Sequence, residues 1–128
     1  MVKTFAEKWK ESVTKYRKQC QKILKTSNNI RYVGVINVYG KTLTGMIQVD
    51  LKPLLKSEQV KNEFFIISSL ISLRKDMSKS VGKLEHVIIE HQKITIILIQ
   101  KKDITYYVSI NKKEKNLEKI ISLIKNTI

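Results

Sequence analysis

The feature that most constrains the fold of this chain is the order of its apolar patterns along the sequence. Some segments have the apolar spacing of a helix, and others have the composition of a strand. Apolar residues recur every three or four positions in 5–24, 60–73 and 117–124, a spacing that predicts three amphipathic helices. Between them lie runs rich in β-branched residues, which favour strands. These runs are residues 30–37, 42–49, 84–91, 94–99 and 104–110. The predicted order is helix, two strands, helix, three strands, helix, an α+β fold.

Short polar connections predict how the strands pair. Residues 38–41 are typical of a hairpin turn, with Gly40 available for positive φ. The links 90–93 and 100–103 are equally short, so the last three strands should form an antiparallel meander. Gly45 is a candidate β-bulge.

Two further boundaries are predicted around the second helix. Pro53 and Ser57 are both candidates for its first turn, because proline suits the first helical position and serine caps a helix. Residues 77–82 are expected to form a linker between this helix and the third strand.

Length and composition place the chain among compact globular proteins. Its 128 residues suit one domain over 1–128, and one proline with four glycines leaves little room for linkers. The lone cysteine cannot form an internal disulfide, and no apolar run reaches the ~18 residues of a membrane span. Without an apolar leader at the start, the expected compartment is the cytoplasm.

The formal net charge of +14 is the most unusual property of the composition. Such a charge favours nucleic acid, anionic lipid head groups or an acidic protein as the partner. The basic residues are nearly all lysine, which produces a diffuse field rather than bidentate recognition. A lysine- and isoleucine-rich composition is equally typical of an AT-rich genome. The charge alone therefore does not show whether it serves to bind a partner or only reflects the genome's base composition.

The first predicted hairpin resembles a known family. In residues 33–43 (VGVINVYGKTL) an apolar strand with a glycine meets a polar residue, a glycine turn and a second strand. This segment and the element order resemble the roadblock domain of the dynein light-chain family. The chain departs from that pattern at Asn37, where the family often has Asp, and in its long basic first helix. The chain is also similar to small uncharacterised archaeal proteins.

The resemblance implies a five-stranded antiparallel sheet in the order 2-1-5-4-3, with the first and third helices on one face and the second on the other. It also implies a homodimer in which the second helix and third strand meet their symmetry mates. The second helix is apolar around more than half its circumference, which also suits a helix covered on two sides. The candidate dimer residues are Phe64, Phe65, Ile67, Leu70 and Ile71.

The positive charge concentrates at both ends of the chain. Residues 1–25 carry a net +6 and residues 111–128 a net +3. In the implied fold, the helices at these two ends share one sheet face, so a basic face is expected opposite the dimer face; solvation of exposed helices by lysine is the alternative. The candidate basic residues are Lys8, Lys15, Lys18, Lys22, Lys112, Lys115 and Lys119.

No motif in the sequence indicates catalysis, a cofactor or a metal. The fragment Gly40-Lys41-Thr42 lacks the glycine spacing of a phosphate loop and precedes a strand rather than a helix. His86 and His91 are five residues apart, which in a strand places them on opposite faces. Cys20 is expected in the core, and Trp9 in the core or an interface.

These observations favour a non-enzymatic homodimeric interaction or regulatory module, with a small GTPase or another acidic protein as the partner that the resemblance suggests. A basic nucleic-acid-binding protein is the second hypothesis. A small-molecule sensor with a PAS-like or profilin-like fold is the third, and it requires a pocket.

Overall fold

The structure, a computed structural model, describes residues 2–128. Within this range it contains three helices and five strands in the predicted order, with one additional helical turn between the second helix and the third strand. The elements are α1 (Phe5–Thr26), β1 (Ile30–Ile36), β2 (Thr42–Ile47), α2 (Ser57–Asp76), α3 (Ser78–Val81), β3 (Val87–Glu90), β4 (Ile94–Lys101), β5 (Ile104–Asn111) and α4 (Leu117–Thr127).

All five strands form one antiparallel sheet in the order β2-β1-β5-β4-β3. This confirms the α+β class and the strand order that the family resemblance implies. The central strand, β5, pairs with β4 along its whole length and with β1 on its other side. Both neighbours are long because they are interior strands, whereas β2 and β3 at the edges are shorter.

The two faces of the sheet carry separate apolar clusters. Alternate residues of a strand point to opposite faces, so Tyr106 packs with α1 and α4 while Tyr107 packs with α2. In β4 the same alternation sends Ile97 to the first cluster and Ile96 and Leu98 to the second. The helices therefore cover both faces, which confirms the predicted layering.

Helix α1 begins at a capping box. The Thr4 side-chain oxygen accepts a hydrogen bond from the Glu7 backbone N–H at 3.2 Å, and the Glu7 carboxylate accepts one from the Thr4 N–H at 3.3 Å. These two bonds satisfy donors that would otherwise face solvent at the helix start. None of the helices in the described range 2–128 combines the length and the apolar content needed to cross a bilayer.

Several predicted boundaries differ from the structure. β2 ends at Ile47 rather than residue 49, and β3 begins at Val87 rather than residue 84, because edge strands end where their single neighbour stops pairing. The expected linker 77–82 contains the turn α3. Helix α2 starts at Ser57 itself, so its N-cap is Lys56, and Pro53 lies outside the helix.

The predicted bulge at Gly45 is wrong, and the glycine has another role. The extra residue in β2 is Leu43, since Val35 pairs with Thr44 and the next residue of β1 pairs with Thr42. Gly45 instead pairs directly with Gly34. The Tyr32 ring lies over both glycines, and a Cβ on either would collide with it. The glycines are needed because they make room for this ring.

The β1–β2 turn packs directly against α2. Gly40 has φ of 78°, and a Cβ there would lie 2.7 Å from the Phe65 Cα. The Asn37 side-chain oxygen accepts hydrogen bonds from the Tyr39 and Lys41 backbone N–H groups at 2.9 and 3.0 Å. A carboxylate oxygen could accept the same two bonds, so asparagine preserves the turn where the roadblock pattern often has aspartate.

We expect Gly40→Ala to destabilise the protein more than Gly82→Ala. Gly82 also has positive φ, 88°, but a Cβ there meets no atom within 4 Å, so its substitution costs only backbone strain of ~1–3 kcal/mol. Gly40→Ala adds steric overlap with α2, worth about 1–3 kcal/mol more. Urea unfolding measures both losses, and equal losses would contradict the turn–helix contact.

Candidate interaction surface

The inner face of α2 fixes how this helix sits on the sheet. Phe64, Ile67 and Ile71 are buried in the cluster that α2 forms with the sheet. The Phe64 ring packs edge-on against Tyr107 with centroids 5.0 Å apart. Burial raises the pKa of the Tyr107 hydroxyl far above its usual range, and the nearby Glu63 carboxylate raises it further. Tyr107 is therefore a neutral core residue.

The outer face of α2 carries four large apolar side chains that no other part of residues 2–128 covers. Phe65 and Ile66 are each 64% exposed, Leu73 is 52% exposed and Leu70 is 38% exposed. Because successive helix residues turn by about 100°, residues 66, 70 and 73 share one arc that points away from the sheet, with residue 65 at its flank. We call Phe65, Ile66, Leu70 and Leu73 the outer patch.

The five predicted dimer candidates do not share one face. Phe64, Ile67 and Ile71 are buried within the chain, whereas Phe65 and Leu70 belong to the outer patch. Ile66 and Leu73 join them but were not among the candidates. A helical wheel drawn at 100° per residue would have identified both residues as neighbours of Leu70, because each lies within one third of a turn of it.

An open sheet edge adjoins this helix. β3 pairs only with β4, and its Val87 and Ile89 pack against the same cluster that the inner face of α2 covers. Ile88 points to the opposite face and is partly exposed. An unpaired edge strand presents backbone N–H and C=O groups that another strand can bind. The open edge of β3 thus borders the cluster that the inner face of α2 covers.

The predicted basic residues are all exposed, but they are not one compact patch. Four of them, Lys8, Lys15, Lys18 and Lys22, lie along α1, and Lys119 lies on α4. Lys112 and Lys115 occupy the turn before α4, where Lys112 is 3.6 Å from a Glu90 carboxylate oxygen. The positive charge therefore follows α1 and continues onto the neighbouring surface on the sheet face opposite α2.

A groove of about 450 Å³ separates the start of α2 from β1 and β2. Arg31, Lys52 and Lys61 contribute basic groups to its lining. The Arg31 guanidinium also donates a hydrogen bond to the Lys52 carbonyl oxygen at 3.1 Å. The apolar part of the lining includes Tyr32, Leu54, Leu55, Val60, Phe64 and Tyr107.

The remaining chemical candidates occupy structural positions. Cys20 is fully buried, and burial raises the pKa of its thiol to about 11, which keeps it protonated and unreactive at neutral pH. His86 lies 3.1 Å from the Lys125 amine, while His91 is exposed in the β3–β4 turn. Across residues 2–128, His, Cys, Asp and Glu form no group of three that could hold a metal ion.

Solved structures share this architecture. No protein-family model matches the sequence, and no curated protein does either. The gliding protein MglB from Thermus thermophilus superimposes with a TM-score of 0.73 over 90% of this chain and 84% of its own, at 9% identity. A roadblock/LC7 domain from Streptomyces avermitilis gives 0.65 over 85% and 88%, also at 9% identity. This chain has the roadblock fold.

One further solved structure with this fold was determined as an assembly. An MglB solved in a tetrameric arrangement superimposes with a TM-score of 0.73 over 90% of this chain and 83% of its own, at 11% identity. At such identities the likeness concerns the fold, so the surfaces of this roadblock-fold chain must be argued from its own residues.

We expect neighbouring phenylalanines of α2 to respond differently to truncation. Phe64→Ala removes a buried ring and should cost about 3–5 kcal/mol of unfolding free energy at every protein concentration. Phe65→Ala removes an exposed ring and should change the thermal midpoint only where the protein is concentrated enough to associate. Thermal unfolding across a dilution series measures both effects. Equal losses of stability in the two variants at high dilution would contradict the assignment of Phe64 to the buried face and Phe65 to the exposed face.

Proposed function

We propose that this protein is a non-enzymatic homodimeric interaction module whose self-association surface is the outer patch of α2 together with the edge of β3. The observation that carries the proposal is the outer patch itself: four large apolar side chains on a helix whose other face is already buried. Contiguous exposed apolar surface of this kind marks protein interaction sites.

A second copy of the chain suits this surface better than an unrelated partner does. In a two-fold interface the same patch is used twice, so each apolar side chain contributes in both protomers. The edge of β3 can pair with its symmetry mate and remove both free edges at once. Full burial of a Leu, Ile or Phe side chain contributes roughly 1.5–3 kcal/mol, and partial initial burial lowers that gain.

The proposed dimer leaves the basic face of each protomer free. Helices α1 and α4 lie on the sheet face opposite α2, so the dimer would carry two basic faces directed outward. An acidic macromolecule such as a small GTPase is the proposed regulatory partner, because its charge complements these faces. Nucleic acid is less well supported, since Tyr106 and Tyr107 are both buried and cannot stack on bases.

Polar substitution of the outer patch should dissociate the dimer without unfolding the chain. We expect Phe65→Ser with Leu73→Ser to reduce the mass measured by light scattering from that of two chains to that of one, while far-UV circular dichroism stays unchanged. The matched control is Phe5→Ser with Trp9→Ser, which removes exposed aromatic residues from α1 and should leave the mass unchanged. A wild-type monomer at micromolar concentration would overturn the proposal.

A second candidate function is supported by the groove beside α2. Its apolar wall and basic residues suit an amphipathic anion, such as a long-chain carboxylate, with the chain along the wall and the head group near Arg31, Lys52 and Lys61. This would make the chain a small-molecule sensor, and it is compatible with a dimer because the groove opens at the start of α2.

Titration with a long-chain fatty acid below its micelle concentration tests the groove. Binding should follow a single-site isotherm by calorimetry. Lys52→Glu with Lys61→Glu should weaken it by about tenfold or more, since each substitution replaces attraction with repulsion. Lys15→Glu with Lys22→Glu on α1 makes the same change in net charge far from the groove. Equal losses of fatty-acid affinity in both double variants would indicate a general charge effect and contradict binding in the groove.

A further inference from the structure

We propose that the N-terminal half of α1 is an interfacial helix that docks the domain on an anionic lipid bilayer. The proposal rests on the first half of α1 and its surroundings. It does not depend on self-association through α2, because the two surfaces lie on opposite faces of the sheet.

Helix α1 extends beyond the sheet on which it packs. Its 22 residues span about 33 Å, whereas the seven residues of β1 span about 23 Å. The packed part is the second half, where Cys20, Ile23 and Leu24 are buried. Of the two positions expected for Trp9, core or interface, the structure rules out the core: Phe5 is 85% exposed and Trp9 is 49% exposed.

In the exposed half of α1, apolar, basic and acidic side chains lie on different sides of the helix. At about 100° per residue, Phe5, Trp9 and Val13 form one apolar stripe, with Lys8 and Lys10 on its two flanks. The two acidic residues of this helix, Glu7 and Glu11, project from the opposite side on the same wheel. A stripe with aromatic side chains and flanking lysines is typical of helices that lie at the surface of an anionic bilayer.

The lysines beside the stripe are free to meet an external anion. Within residues 2–128, ion pairs closer than 4.0 Å join Lys3 to Glu11, Lys75 to Asp103 and Lys112 to Glu90. Lys8, Lys10 and Lys15 take part in none of these pairs. Their charge is therefore not neutralised within the described chain, and lipid phosphates and carboxylates would complement it.

Other basic groups lie at the same end of the molecule. Tyr106 donates a hydrogen bond to Gln19, which places the middle of α1 near the start of β5. The β4–β5 turn, with Lys101 and Lys102, lies at this end, and the Lys101 amine donates to the carbonyl oxygen of Ile128 at the end of α4. The exposed half of α1 thus emerges from an end of the sheet that is itself basic.

A bilayer fits this stripe better than a second copy or a nucleic acid does. Two copies meeting through α1 would bring their uncompensated lysines together, and like charges repel. Nucleic acid would attract the lysines and could stack bases on Phe5 and Trp9, but it offers no apolar layer for the aliphatic side chain of Val13, which continues the stripe. The interface of an anionic membrane offers both a negative surface and an apolar layer.

The single tryptophan of the chain reports directly on this docking. We expect Trp9 emission to shift to shorter wavelength on addition of phosphatidylcholine vesicles containing phosphatidylserine, but not with pure phosphatidylcholine vesicles. Rising salt should weaken the effect, because the attraction is screened. Phe5→Ser leaves Trp9 in place as the fluorescent reporter. Because it removes an apolar ring from the stripe, it should lower the vesicle partition coefficient by about tenfold. Lys8→Glu with Lys10→Glu should abolish the shift.

The matched control is Val49→Ser, which removes an exposed apolar side chain from the loop after β2, outside both proposed surfaces, and should leave the Trp9 shift intact. Circular dichroism of each variant confirms that it is folded. The proposal is overturned if Phe5→Ser binds as the wild type does, or if pure phosphatidylcholine vesicles give the same shift. It is also overturned if duplex DNA, single-stranded RNA or a rise in protein concentration shifts Trp9 emission while phosphatidylserine vesicles do not.

Discussion

The packing of α2 against the sheet, centred on the contact of Phe64 with Tyr107, determines the other surfaces of this molecule. Once Phe64 enters the cluster, the rotation of the helix is fixed and Phe65, Ile66 and Leu73 must point away from the sheet. The β1–β2 turn reinforces this rotation, because Gly40 packs directly against the helix backbone. The outer patch is therefore a consequence of the core, and exposed apolar surface of this kind is typical of protein interaction sites.

The sheet separates two kinds of surface. On the α2 side, the sheet has the apolar outer patch and an open edge strand, a combination that suits a symmetric protein contact. On the other side, α1 and α4 carry lysines, and the first half of α1 extends beyond the sheet with Phe5 and Trp9 uncovered. A dimer formed through α2 would direct both α1 helices outward, so self-association and contact with an anionic surface are compatible in one assembly.

The element order could be predicted because hydrophobic periodicity is a local property of each segment, whereas the strand order was implied by the resemblance to the roadblock domain. Positions that depend on neighbouring elements could not. The expected bulge at Gly45 failed because its role is to make room for Tyr32 from the adjacent strand. The choice between core and interface for Trp9 could not be made from the sequence, because periodicity identifies the apolar side of a helix but not how far the sheet extends beneath it. The dimer candidates were divided for a related reason: Phe64 and Phe65 belong to one apolar segment but project about 100° apart around the helix, so only Phe64 reaches the sheet.

Distances between spin labels test the central claim, that two copies meet through the outer face of α2, most directly. The native Cys20 thiol is buried and has its pKa raised to about 11, so it stays unlabelled. A label at Ser72→Cys, on α2 beside the outer patch, should show dipolar coupling between protomers, because packed helices lie ~8–10 Å apart. A label at Lys15→Cys on α1 should give a longer distance. Coupling from Lys15→Cys alone, or from neither label, would contradict the account.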